Sequence, residues 1–343
     1  MANYASTVLL DALSEITDTA QKDLRAPQYG ATRMFNDHKR EVILNFDQFK
    51  NIEIKSDLQT AKVDYIKRSS RSTSSSRSAA PSGAMGDSGR QTLSFVTYAD
   101  SFTISDDNVR NNRYEAAKIL AAQIRNARLN IGADIETAMV AALEAGRSTT
   151  QGVRSLSTWD GVNNIMVTSN ANDANYYNYM ETDLKALNYF GRLQEVHSYN
   201  LHALAMEQTA QGSANSTNLQ FQYGDIDFYN SSSITNSTDH FGTSYVSEIG
   251  ALGLVDWIPG KNRTGLMGHA DFDFMSVPDP FGVFDQFAVA VYKKVQDSTS
   301  GDADIGGTTQ DAVWIYEWSI DVAPFITPIT SDKAVYKYAL SKS

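Results

Sequence analysis

The 343-residue chain contains no cysteine. Disulfide staples, thiolate metal sites and a cysteine nucleophile are therefore excluded. Histidine is scarce as well, with five residues, and no H-E-x-x-H pair occurs among them. The glycine-bearing signatures of nucleotide binding and serine hydrolysis are missing too: there is no G-x-S-x-G, no P-loop and no G-x-G-x-x-G. No stretch approaches the roughly 18 to 20 apolar residues of a membrane helix, so no membrane partner is expected. The first residues, MANYASTVLLDALSEI, carry a short apolar run without a basic leader and do not read as a secretory signal.

Positive charge is in short supply. The formal net charge is −11, which argues against a protein whose main task is to wrap nucleic acid, since that task needs clustered Lys and Arg. The deficit is uneven. Residues 1–150 hold 19 Lys and Arg against 18 Asp and Glu, whereas residues 151–343 hold 10 against 22. Such asymmetry suits a chain whose ends face different partners, and equally an acidic second half that is merely well solvated.

What is present is a sufficient core, 42% hydrophobic residues, distributed in several distinct patterns. Residues 1–40 read as an arm with one short amphipathic helix carried by Val8, Leu9, Ala12, Leu13 and Ile16; the pattern breaks around Pro27 and Gly30. From 41 to 66 the apolar residues alternate, with Val42, Leu44 and Phe46, then Ile52 and Ile54. They alternate again from 91 to 104, with Leu93, Phe95, Phe102 and Ile104. Between these runs lies RSSRSTSSSRSAAPSGAMGDSGR, residues 68–90, dense in Ser and Gly, with Arg68, Arg71, Arg77 and Arg90 against a single Asp87. Flanked by extended segments, it reads as the tip of a long two-stranded arm; an interdomain linker is the other reading.

A helix comes next. Ser105 to Asn108 offer N-caps. From Val109 to Leu143 there is no proline and only one glycine, Gly132. Leu120, Ile124, Ala127, Ile131, Ile135, Ala138 and Ala142 recur at spacings of three and four, and Gly146 offers a stop. The spacing predicts one helix over about 107–143, roughly 50 Å long, far beyond the usual globular helix. Residues 150–180 read as loop and 180–193 as a helix. Strand-like alternation then returns in 221–229, 287–295, 314–322 and 334–340, with a compact apolar stretch at 250–255. The composition is α+β, with one dominant helix and many separated strands.

This order of elements resembles the tailed-phage major capsid proteins of the Hong Kong 97-type fold. The likeness rests on three segments. Phe102-Thr103-Ile104-Ser105 runs into the long helix that stops at Gly146; Tyr223 to Tyr229 is similar to the strand before an apex loop; Trp314 to Pro328 is similar to a strand that precedes a final one. The resemblance implies an N-terminal arm over 1–40 and an extended β-hairpin, the E-loop, over 41–100 with its tip at 68–90. A peripheral domain with the spine helix follows over 101–150, an axial domain over 151–312, and return strands of the peripheral domain over 313–343. It implies a non-enzymatic shell protein without cofactor or metal, assembled in a bacterial host cytoplasm into pentamers and hexamers of a virion that encloses double-stranded DNA, contacted non-specifically. A portal and a decoration protein would be further partners. Only about 40 residues precede the first strand, so a built-in scaffold is not expected and a separate scaffolding protein, or none, is implied. Arg68, Arg71, Arg77 and Arg90 would be the intersubunit contact at the hairpin tip. Some relatives also join an E-loop lysine to a neighbour's asparagine, for which Lys62 and Lys67 are the candidates. An encapsulin-like compartment and a phage tail or adhesin-type protein remain as rival readings.

The other polar candidates read as structural. His38, His197, His202, His240 and His269 are expected at the surface or in the core; His197 and His202 are five apart and do not share one helical face. Asp271 and Asp273 read as solvated acids. Asp302-Ala303-Asp304-Ile305-Gly306 lacks the remaining ligands of a calcium loop.

Overall fold

The computed structural model describes residues 9, 11–13, 29–45, 60–66, 88–105, 113–150, 157–189, 191–213, 226–258, 270–279, 282–298, 309–328 and 333–342. The short helices α1 (Gly30–Asn36) and α2 (Lys39–Val42) precede the long α3 (Arg113–Gly146). The helix is single and continuous through Gly132, as the spacing predicts, and runs to Gly146. Its buried face is Leu120, Ile124, Ala127, Ile131, Ile135, Met139 and Leu143, a stripe at 3.6-residue spacing. The opposite face, with Gln123, Asn126, Asn130, Ala133, Thr137 and Ala141, is exposed.

Two sheets flank this helix. The first is antiparallel and has the order β10 (Ala270–Pro278), β11 (Gln286–Ser298), β12 (Thr309–Ile326), β3 (Val96–Ser105), with β9 (Leu252–Trp257) pairing the end of β12 on the side opposite β3, past the end of β11. Strand β12 alternates strictly, so Trp314, Tyr316, Trp318, Ile320 and Val322 share one face. All five are buried in the same apolar cluster as the inner face of α3. Phe102 stacks on Tyr316 with centroids 5.5 Å apart, and Phe287 meets Trp318 at 5.9 Å.

The second sheet is mixed, in the order β4 (Thr158–Asp160), β5 (Ile165–Thr168), β13 (Val335–Ser341), β8 (His240–Glu248), β6 (Leu193–Ser198), β7 (Ile226–Ser231). The β13–β5 and β6–β7 pairs are parallel. Helix α4 (Tyr176–Ala186) contributes Tyr176, Tyr177, Met180 and Leu184 to a separate apolar cluster with Met166, Tyr336, Tyr338 and Leu340. Helix α5 (His202–Ser213) follows β6 after the turn Tyr199–Leu201.

Strand β13, in the stretch expected to return to the domain of the long helix, lies between β5 and β8 in the second sheet, where Tyr336, Tyr338 and Leu340 are buried against α4 and Lys337 reaches Glu144 of α3. Alternation marks a strand but does not choose its sheet. Strands β10 and β11, within the stretch assigned to the axial domain, pair with β12 and β3 in the first sheet. Residues 39–42 form a helical turn rather than a strand, with Val42 and Ile43 buried against β9 and β12, while Leu44 stands exposed. Residues 150–180 are not all loop, since β4, β5 and the start of α4 fall there.

The segment read as an arm is in part a core element. Leu9, Ala12, Tyr29, Ala31, Met34 and Phe35 are all buried in the central cluster with α3. Helix α1 reaches this position because α3 supplies its N-terminal acceptor. The buried Glu136 carboxylate accepts Ala31 N–H at 2.8 Å, Thr32 N–H at 2.9 Å and the Thr32 hydroxyl at 2.7 Å, satisfying donors that a helix start leaves open. Close by, the fully buried Arg128 and Asp279 form a two-pronged ion pair at 2.7 and 2.8 Å. Asp279 also accepts the N–H groups of Val283 and Phe284, each at 2.9 Å. The Arg128 guanidinium sits 4.9 to 5.5 Å from the rings of Phe287, Phe284 and Tyr29, so this buried charge is both paired and covered.

Candidate functional site

Strands β1 (Thr60–Ile66) and β2 (Ser88–Ser94) pair antiparallel, from Thr60 opposite Ser94 to Ile66 opposite Ser88. The pairing makes a two-stranded ribbon whose connecting residues, 67–87, lie outside the described part. One face is apolar. Val63, Tyr65 and Leu93 pack on Val42, Ile43, Val255, Ala323 and Phe325, with Tyr65 and Phe325 rings 5.9 Å apart. Asn45 braces the ribbon by donating to the Lys62 carbonyl at 3.0 Å and accepting from Asp64 N–H at 3.1 Å. The other face presents Lys62, Arg90 and Thr92 to solvent.

The four sequence-selected arginines do not form one set. Arg68, Arg71 and Arg77 fall outside the described residues, as does Lys67. Arg90 is on β2 opposite Asp64, and its guanidinium donates to that carboxylate at 2.6 and 3.0 Å. The Arg90 hydrogen bond holds Asp64 below its ordinary carboxylate range, and Asp64 in turn raises Arg90. Arg90 therefore straps the two strands together, in an exposed position where such a pair contributes little to stability.

A second cluster forms at the end of α3. Glu144 accepts from the Tyr245 hydroxyl on β8 at 2.5 Å, from Lys337 Nζ on β13 at 3.0 Å and from Arg147 Nε at 2.8 Å. Arg147 also donates to the carbonyls of Asn163 and Asn164, at 2.8 and 2.7 Å, in the β4–β5 turn. Partial burial alone would raise the Glu144 carboxyl; the Tyr245 and Lys337 hydrogen bonds and the charges of Lys337 and Arg147 outweigh it and leave the group below its ordinary value. Burial, then the hydrogen bond to Glu144, pushes Tyr245 well up. This is the polar joint between the long helix and the second sheet.

The histidines are placed less uniformly than expected. His38 faces Asp227 at 3.6 Å and Glu41 at 3.4 Å, His240 begins β8, and His269 lies outside the described residues. His197 is buried on β6 with Nδ1 2.8 Å from the buried Glu195 carboxylate. The turn Tyr199–Leu201 brings His202 back, so the two rings lie 5.9 Å apart. Both line a pocket of about 170 Å³ shared with Gly30, Arg33, Met206, Phe228 and Asn230. A test of one helical face misses this pair, because one histidine is on a strand and the other on the next helix. The run LQEVHS, with Glu195 and His197 two apart on one face of a strand, was the available signal.

Asp273 bonds the N–H of its neighbour Phe274 at 2.9 Å, and a register shift separates Ala270 from Asp273. Asp302 and Asp304 lie outside the described residues. Among the described residues no group of three or more His, Asp and Glu is arranged to hold a metal ion, and no helix is long and apolar enough to cross a membrane.

The architecture is thus α+β, a long helix between an antiparallel and a mixed sheet with a two-stranded ribbon at one side. No family model matches the chain, and no curated protein matches it. Among solved structures it is similar to one from Mycobacterium phage Che8, at 9% identity, covering 92% of this chain and 93% of that one, with a TM-score of 0.49. It is similar to the capsid structure of the cyanophage P-SCSP1u, at 11% identity over 85% and 86%, TM-score 0.42. It is also similar to the capsid of the Myoviridae phage XM1, at 11% identity over 86% and 91%, TM-score 0.40.

Proposed function

We propose that this chain is the major capsid protein of a tailed phage, building a closed icosahedral shell and catalysing no reaction. Two of the similar solved structures are capsids by description, and the proposal extends that role to this chain. The observation that carries it is the architecture itself. A 34-residue helix packs its apolar face into the central core and meets the second sheet at its end through Glu144, while a two-stranded ribbon is anchored by one apolar face. A subunit built on one long helix with a ribbon held by one face suits repeated heterologous contacts that close into rings and then a shell.

On this reading pentamers and hexamers form the shell, double-stranded DNA is held inside without sequence preference, and the virion is the site of action after assembly in the host cytoplasm. The segment joining β1 and β2, with Arg68, Arg71 and Arg77, docks on an acidic neighbour. The excess of acids in residues 151–343 supplies the complementary charge. Each contact is modest and many add in a closed lattice. A separate scaffolding protein, a portal and a decoration protein are further partners of the same reading.

Electron microscopy of the purified chain, expressed alone and concentrated, tests the assignment. Closed shells of uniform diameter are expected. Open fibres, or monomers even on co-expression with a scaffolding protein, would overturn it.

A further inference from the structure

The pocket between α1, α5 and the edge strand β7 contains polar groups that the shell role does not use. Glu195 and His197 are both buried on β6. Placing a carboxylate and an imidazole inside a sheet costs several kcal/mol per charge unless their remaining atoms are satisfied. Here Glu195 Oε2 takes Nδ1–H of His197 at 2.8 Å, and His197 Nε2 has no hydrogen-bond partner among the described residues. That atom is enclosed and its ring is one of those that line the pocket, so a buried acceptor without a partner lies beside the cavity.

His202 stands across from it in a matching state. Its Nδ1 lies 3.3 Å from the Asn230 side-chain amide. The amide's Oδ1 is buried and has no partner. Oxygen and nitrogen of an amide are alike in size, so the group can turn end for end. Turned, its Oδ1 accepts Nδ1–H from His202, and His202 Nε2 becomes the free nitrogen. Each imidazole then has its Nδ1 held by a side-chain oxygen, Glu195 for one and Asn230 for the other. That is the outer-shell arrangement that fixes a metal-ligating histidine and leaves its Nε2 basic.

The spacing agrees. Two imidazoles bound to one first-row ion at about 2.0–2.1 Å per bond have ring centroids roughly 5 to 6 Å apart; His197 and His202 are at 5.9 Å. The cavity, about 170 Å³, leaves room for the water ligands that a two-histidine site requires. Met206, one helical turn beyond His202, lines the same pocket and is largely exposed. Imidazole and thioether donors favour borderline and soft ions over Mg²⁺ or Ca²⁺.

We propose that the His197–His202 pocket binds one borderline transition-metal ion of the Zn²⁺ class, ligated by the two Nε2 atoms and positioned through Glu195 and Asn230. Strand β6, the following turn and α5 supply both ligands, so the ion ties that corner of the second sheet to the helix that follows it.

The test is calorimetric titration of the full chain with ZnCl₂ in a non-chelating buffer at pH 7.5, beside His202→Ala, His202→Gln, Glu195→Gln and, as a control, His240→Ala. One Zn²⁺ per chain is expected, with binding at least tenfold weaker in both His202 variants and unchanged in His240→Ala. Glu195→Gln should weaken binding about 10- to 100-fold, and Zn²⁺ should raise the melting temperature of the parent chain but not of the His202 variants. Excess Mg²⁺ should not compete. If Glu195→Gln fails to fold, the exposed His202 variants decide alone. No saturable binding at one ion per chain, equal binding by the His202 variants, or an equal loss in His240→Ala would overturn the site.

Discussion

At Gly132 two effects of opposite sign meet, and their sizes decide between them. Glycine inside a helix ordinarily costs about 1 kcal/mol relative to alanine, so Gly132→Ala should strengthen α3. Yet an added Cβ would stand 2.6 Å from the Tyr29 ring and 2.7 Å from Arg128 Nη1. Neither neighbour can retreat, because Tyr29 is buried in the core and Arg128 is held by Asp279. Overpacking of this kind costs about 1–3 kcal/mol. We therefore expect Gly132→Ala to destabilise the folded subunit by roughly 1–2 kcal/mol, read from urea unfolding. A more stable variant would mean that the Tyr29 segment yields, and that α1 is less firmly seated than Glu136 and the core contacts indicate.

Among the elements, the joint at Glu144 is the point to probe. Three elements meet there, α3, β8 and β13, and the carboxylate is the common acceptor. Its folded value lies below the ordinary one. The stability it contributes is thus present above the unfolded carboxyl's pKa, about 4.3, and is lost as pH falls through the lower folded value. The group is more than a third exposed, so solvent screening holds the contribution to about 1 kcal/mol or less. Glu144→Gln should be weaker than the parent chain at pH 7 by that amount, with the gap closing below about pH 4. Unfolding measured from pH 7 to pH 3 checks this, and a constant gap across the series would show that the carboxylate's charge is not what joins the elements.

On the scale of the whole molecule, the proposed shell role turns the charge asymmetry into a prediction about contacts between copies. Arg90 is already engaged by Asp64 within one chain, so the test of docking belongs to Arg68, Arg71 and Arg77. Replacing all three by Glu should damage shell assembly more than replacing them by Gln, because like charges then face each other. The difference should be largest at low ionic strength, since exposed pairs are weak and screened by salt. Equal shell yields from the parent, Gln and Glu chains at low and high salt would remove the docking role. Normal empty shells from the Glu chain with impaired DNA retention would instead direct these arginines inward, to the genome.

The sequence by itself determined the features set by short-range periodicity. The long helix was legible because its apolar residues recur at 3.6 spacing over many turns without proline, and the β12 face because Trp314, Tyr316, Trp318, Ile320 and Val322 alternate strictly. The pairing of two extended runs around the Ser- and Arg-rich segment was legible for the same reason. Tertiary structure alone decided which sheet each strand joins. The alternation of strand β13 fits either sheet, and its place between β5 and β8, with Tyr336 and Tyr338 packed on α4, follows only from the tertiary structure. It also decided the fate of residues 29–43. Their burial depends on Glu136, more than a hundred residues away, and no local pattern carries such a contact. The His197–His202 pair follows the same logic. Two side chains five apart on unlike elements meet only once a turn has reversed the chain, because local periodicity describes one element at a time and contact geometry is set by how elements are joined.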